Sequence, residues 1–222
     1  FSEHRLLALR SAEFYIDGLQ MKELLAPLGF YPTDVQKYLI ASNWSLIAEE
    51  QAFVGRCAQV GDEIGSRLAC GRIVERLKRL CFLYCGEYAP YSKWFGTAFS
   101  RLPIDGKLKD AIAAAVSAPD YPQRETALVE AQLLTADLHN KSGITEPVAV
   151  KAQKYFGRDM TVIFVDRIVQ AVQDILSGTP LEGLPLLGSI SEVANMVTFS
   201  DNPRWQSRIG ALYSPVRSKF DN

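Results

Sequence analysis

The stretch FVGRCAQVGDEIGSRLACGRIVERLKRLCFLYCGEYAPYSKWFGTAF (residues 53–99) decides how this chain folds. Apolar residues recur at helical spacing on both sides of Gly61-Asp62, so one long helix ends there and another begins. The second helix is expected from Asp62 to about Leu83. YAPYSKWFG (residues 88–96) then closes the unit with aromatics and a proline.

Working outward, a helix is expected from Ser2, its N-cap, to about Gly18, with Leu6, Leu9, Ala12, Tyr15 and Ile16 at helical spacing and Leu19 just beyond. A short helix is expected from Met21 to Leu28. The next starts at Pro32 or Thr33 and runs to Val60, with a bend near Ser42-Asn43. Further helices are expected just after residues 88–96, at residues 106–117, from Pro122 to Ser142, and near residues 191–197 and 203–212. MTVIFV (residues 160–165) is the one strand-like run, although Ile168, Val169, Val172 and Ile175 extend it with helical spacing. The expected fold is all-α: an irregular bundle of about 8–10 helices with at most one short strand segment. It forms one helical domain over 1–222, with a core bundle at 1–145 and a C-terminal helical extension at 146–222.

The 222 residues are 48% hydrophobic and 22% charged, which suits a globular chain. Lys+Arg 24 against Asp+Glu 25 gives a net charge of -1, so neither nucleic acid nor an anionic membrane is expected as partner. No apolar run reaches membrane-spanning length and no signal pattern opens the chain, so a cytoplasmic location is the expectation. Phe1 begins a helical pattern at once, and a segment is expected ahead of it in the natural protein. Cys57, Cys70, Cys81 and Cys85 lie in helical patterns far from His4 and His139, which predicts reduced thiols and no metal.

On a helical wheel Arg72, Arg76 and Arg79 fall opposite the apolar arc and read as a solvated face. Asp62 and Glu63 land on the arc that turns apolar one turn later, with Arg67 at its edge. Two readings remain open. Asp62 is an N-cap and Glu63–Arg67 an i, i+4 pair; or these groups, with Arg56, form a half-buried site in which Asp62 or Glu63 acts as a base and Arg67 meets phosphate. Residues 88–96 are equally divided between a cap of the bundle and a binding surface made by Tyr88, Tyr91, Lys93 and Trp94. Glu49-Glu50 point to different faces, and His139-Asn140 suit a cap or a core hydrogen bond. Gly188-Ser189 has the form of the turn that opens a nucleotidyltransferase site, yet no paired acids follow it and Asp201 stands alone. Walker, nucleophile-elbow and zincin motifs are absent, so catalysis by this chain alone is not expected.

YPTDVQKYLIASNW (31–44), AFVGRCAQVGDEIGSRL (52–68), YAPYSKWFGTAFSRL (88–102), HNKSGITEP (139–147) and PLLGSISEV (185–193) together resemble a bacterial domain-of-unknown-function family. In that family a helical domain of this kind follows an N-terminal nucleotidyltransferase-like domain. The resemblance runs from Phe1 to about Tyr213. It implies an architecture similar to antibiotic nucleotidyltransferases, whose helical domain supplies the acceptor side of the cleft. It further implies that the N-terminal domain is the partner, and that Mg²⁺ and a nucleoside triphosphate arrive only with it. The expected role is therefore a substrate-side helical domain that holds a small-molecule acceptor. The alternative is a non-catalytic interaction or dimerisation module.

Overall fold

A computed structural model describes residues 2–193, 196 and 202–213. Among them are ten α-helices and one two-stranded sheet. The helices are α1 (Glu3–Arg10), α2 (Met21–Leu25), α3 (Thr33–Gln59), α4 (Glu63–Tyr84), α5 (Ser92–Ser100), α6 (Gly106–Ser117), α7 (Tyr121–Ser142), α8 (Asp166–Asp174), α9 (Ile190–Val193) and α10 (Pro203–Ile209). The strands are β1 (Ala152–Lys154) and β2 (Thr161–Ile163). The all-α expectation holds.

The α3–α4 hairpin is the spine. Helix α3 is 27 residues long and therefore about 40 Å. It runs unbroken through Ser42-Asn43, because Ser42 Oγ donates to Tyr38 O and Asn43 Nδ2 to Leu39 O, so both polar side chains are absorbed by their own helix. Gly61 ends it at φ +78°, donating to Ala58 O while Asp62 N donates to Cys57 O. This closure satisfies the last carbonyls of α3 and turns the chain back. Asp62 then caps α4 by accepting from Gly65 N at 2.7 Å.

Helices α6, α7 and α8 complete the core, where Trp44, Ile47, Ile73, Leu77, Leu80, Ala131, Ile163, Ile168 and Val172 are all fully buried. The core therefore does not stop at residue 145: β2 and α8 lie inside it. A chain of hydrogen bonds crosses it. Trp44 Nε1 donates to Tyr84 Oη (2.8 Å), Tyr84 Oη to His139 Nδ1 (3.0 Å), and His139 Nε2 to Thr145 Oγ1 (2.9 Å). Thr145 Oγ1 gives its proton to Glu146 O and so accepts from His139 Nε2–H, which leaves Nδ1 of the neutral imidazole to accept from Tyr84. Burial accordingly pushes the His139 pKa down to about 4.

Three further expectations need correction. The first helix ends at Arg10 rather than Gly18, because Tyr15, Ile16 and Leu19 have nothing to pack against and are 97%, 91% and 84% exposed. Asp17 instead accepts from Met21 N and Lys22 N at the start of α2. MTVIFV gives a strand only at Thr161–Ile163. Its antiparallel partner β1, Ala-Gln-Lys, had no strand signal. The pairing is stabilised by side chains outside the sheet, since Thr161 N donates to Glu125 Oε1 and Ile163 N to Gln51 Oε1. Third, Arg76 and Arg79 are not a solvated face, as described next. Part of the helix expected at residues 191–197 lies outside the described residues.

Candidate functional site

Helix α4 carries its arginines under α1 and α9. Arg79 is paired with Glu3 of α1 at 2.7 Å and with Glu75 at 2.9 Å, and its side chain is only 10% exposed. Arg76 pairs at 2.8 Å with Glu192, whose side chain is 1% exposed and which also lies 3.9 Å from Arg79 Nε. Arg72 stays on the surface, held by Glu50. The wheel placed these arginines opposite the main core correctly, but a second layer covers that side. Burial raises the Glu3 pKa, with Arg79 pulling it down and Glu192 pushing it up. Burial also works against the Arg79 charge, and Glu3, Glu192 and Glu75 together overcome it, leaving its pKa raised.

Beside this cluster opens a cleft of about 280 Å³. Helix α4 lines it with Gly71, Val74, Glu75, Lys78 and Arg79. The entry to α5 adds Pro90, Tyr91, Ser92 and Phe95, while α1 adds Glu3 and His4, and α9 adds Ser191. Lys78 Nζ lies 4.3 Å from the Phe95 ring centroid and 5.1 Å from that of Phe99. These are cation–π contacts, and partial burial lowers the Lys78 pKa. Tyr91 meets His4 edge-on at 6.2 Å and keeps part of its ring exposed. The cleft thus combines carboxylate, ammonium, hydroxyl and aromatic surface, a composition suited to a small polar ligand with a ring.

The site residues expected from sequence divide into two groups. Asp62, Glu63 and Arg67 stand at the start of α4, about 16–24 Å along the helix axis from Lys78, while Arg56 belongs to the last turn of α3. Asp62 is the N-cap. Glu63 bridges Arg67 (2.8 Å) and the buried Arg124, which also donates to Ser66 Oγ at 2.7 Å. The Arg124 hydrogen bond is the main reason that the Glu63 pKa is lowered. Arg67 reaches Pro119 O at 2.9 Å, so this group ties the start of α4 to that of α7. Arg56 is exposed, over the ring of Phe53 at 5.7 Å.

The second group is the aromatic segment. Tyr91 lines the cleft, and Lys93 and Trp94 stand exposed on the first turn of α5 with the ammonium 5.2 Å from the indole centroid. Tyr88 is buried instead, donating to Leu28 O and packed against Phe30 and Tyr31. Sequence reasoning missed Glu3, Glu75, Lys78, Arg79 and Phe95. Glu75–Arg79 at i, i+4 was a legible signal, whereas nothing local shows that Glu3 comes to meet them. Among the described residues no three metal-type ligands converge, and no helix is long and apolar enough to cross a membrane.

No curated protein and no solved structure matches the chain. Residues 1–95, from α1 into α5 and so including nearly all of the cleft wall, match the family model described as Domain of unknown function (DUF4037), an extent shorter than the resemblance implied.

Proposed function

We propose that this chain is the substrate-side helical domain of a nucleotidyltransferase-like protein, holding an acceptor in the α4–α5 cleft for a catalytic domain N-terminal to it. The carrying observation is the cleft itself, which Glu75, Lys78 and Tyr91 line together and where Lys78 lies over the face of Phe95. Glu75 uses Oε1 for Arg79, and it faces the cleft as Asp62 and Glu63 do not. It is the carboxylate placed to orient an acceptor hydroxyl. Mg²⁺ and a nucleoside triphosphate belong to the partner domain in this reading, and a bacterial, cytoplasmic setting goes with it.

A thermal-shift panel of amino sugars, nucleosides, nucleoside triphosphates with Mg²⁺, and short RNA tests it. A ligand at about 100 times its dissociation constant stabilises by about 2.7 kcal/mol. The expected outcome is a shift lost in Tyr91→Ala and kept in Arg67→Ala, whose side chain is remote from the cleft. Silence across the panel, or a shift that ignores Tyr91, overturns the reading.

The interaction-module alternative is favoured by Val60, Ile64 and Leu68, which are exposed together where α3 turns into α4. A concentration-dependent dimer in light scattering, abolished by Leu68→Lys, would favour it.

A further inference from the structure

Resting on the reading of the α4–α5 cleft as a ligand site, the charges around it identify one end of the ligand. Each carboxylate there already has a cation. Glu3 and Glu75 are held by Arg79, and Glu192 by Arg76. Lys78 is different. Among the described residues its ammonium makes no close ion pair and no hydrogen bond; it lies over the faces of Phe95 and Phe99, and Glu75, one turn back on α4 and already bonded to Arg79, acts on it only from a greater distance.

Cation–π contact replaces only part of the solvation that half-burial removes. An ammonium retained in such a place, whose nearest carboxylate is taken up by Arg79, has room for an anion in direct contact. The same lining holds two hydroxyls. That of Ser191 is buried with no hydrogen-bond partner, and Ser92 opens α5. Tyr91, at the N-cap position of α5, supplies no capping bond. These groups leave donors in the lining without acceptors of their own.

We propose that the α4–α5 cleft binds the phosphate group of a small phosphorylated metabolite, with Lys78 as its cation. Phosphate fits better than carboxylate because its three terminal oxygens can take the ammonium and both serine hydroxyls at once. At about 280 Å³ the cleft is at the small end of ligand pockets, so the molecule is of metabolite rather than polymer size. Its remaining part lies along Tyr91 toward Glu75, where a hydroxyl can donate to the carboxylate.

The test follows the Ser92 and Lys93 backbone amides by NMR while the chain is titrated at constant ionic strength. The probes are inorganic phosphate, acetate, ribose 5-phosphate and ribose. Inorganic phosphate and ribose 5-phosphate should give saturable shifts, and ribose 5-phosphate should bind at least about tenfold tighter than ribose. Lys78→Met keeps an apolar stem on Phe95 and Phe99 and should abolish the preference without lowering the melting temperature. Lys78→Arg should retain it, which guards against a folding defect in the first variant. Equal response to phosphate and acetate, no gain of ribose 5-phosphate over ribose, or undiminished binding by Lys78→Met overturns the proposal. Neutral sugars or nucleosides that bind with no phosphate preference overturn it alone. Silence of every probe here and in the thermal panel removes the acceptor reading as well.

Discussion

Arg79 shows how a single residue can join two layers of this molecule. Its guanidinium is nearly buried and serves Glu3 from α1 and Glu75 from its own helix, with Glu192 close by. Removing the cation leaves carboxylates in a place where water is scarce, and such broken pairs cost more than the pair itself is worth. Arg79→Ala should therefore lose about 3–5 kcal/mol in urea unfolding, and a change below about 1 kcal/mol would show that the cluster is open to solvent. At this scale only part of the site was legible. The i, i+4 spacing of Glu75 and Arg79 is written in the sequence. The arrival of Glu3, 76 positions from Arg79, depends on α1 docking and has no local signature.

At the scale of elements, the close approach of α3 to the sheet sets a strict limit. A Cβ at Gly55 would lie 2.6 Å from Tyr121 Oη and 2.9 Å from Met160 Cβ, so glycine is required there by packing rather than by backbone conformation. Gly55→Ala should cost about 2 kcal/mol by chemical denaturation despite the better helix propensity of alanine. A neutral or stabilising result would mean that the β2 edge gives way easily. The helices themselves were readable because amphipathic spacing, Gly61 and the Asp62 cap all act within a few residues. The end of α1 and strand β1 were not. Residues 11–20 have the spacing of a helix face but no surface to bury it, and β1 exists because β2 is held by Gln51 and Glu125.

For the whole molecule, the buried chain from Trp44 to Thr145 makes stability depend on pH. In the unfolded state His139 takes a proton near pH 6.5, while in the fold it resists until about pH 4. The unfolded state therefore binds more protons throughout that window, and stability falls as pH drops. Between pH 6.5 and 5, above the main carboxylate range, the loss should be about 1.6 kcal/mol, read as a falling urea midpoint. A flat midpoint across that interval would mean that His139 is readily protonated in the folded state.

The sequence by itself determined the all-α class, the α3–α4 hairpin with its Gly61 turn, and the near-neutral charge, because each follows from local spacing or composition. Only the tertiary structure decided which charged face was covered. A helical wheel has two sides, and it shows the apolar one without saying whether a second layer will bury the other. Here α1 and α9 do so, which turned Arg76 and Arg79 from a solvated face into an ion cluster. Asp62, Glu63 and Arg67 stand at the start of α4 by sequence alone, whereas packing brought Tyr91 to the cleft that Glu75 and Lys78 line. Distance along a helix is fixed by sequence, but which other segment comes to lie beside it depends on contacts made by the whole chain.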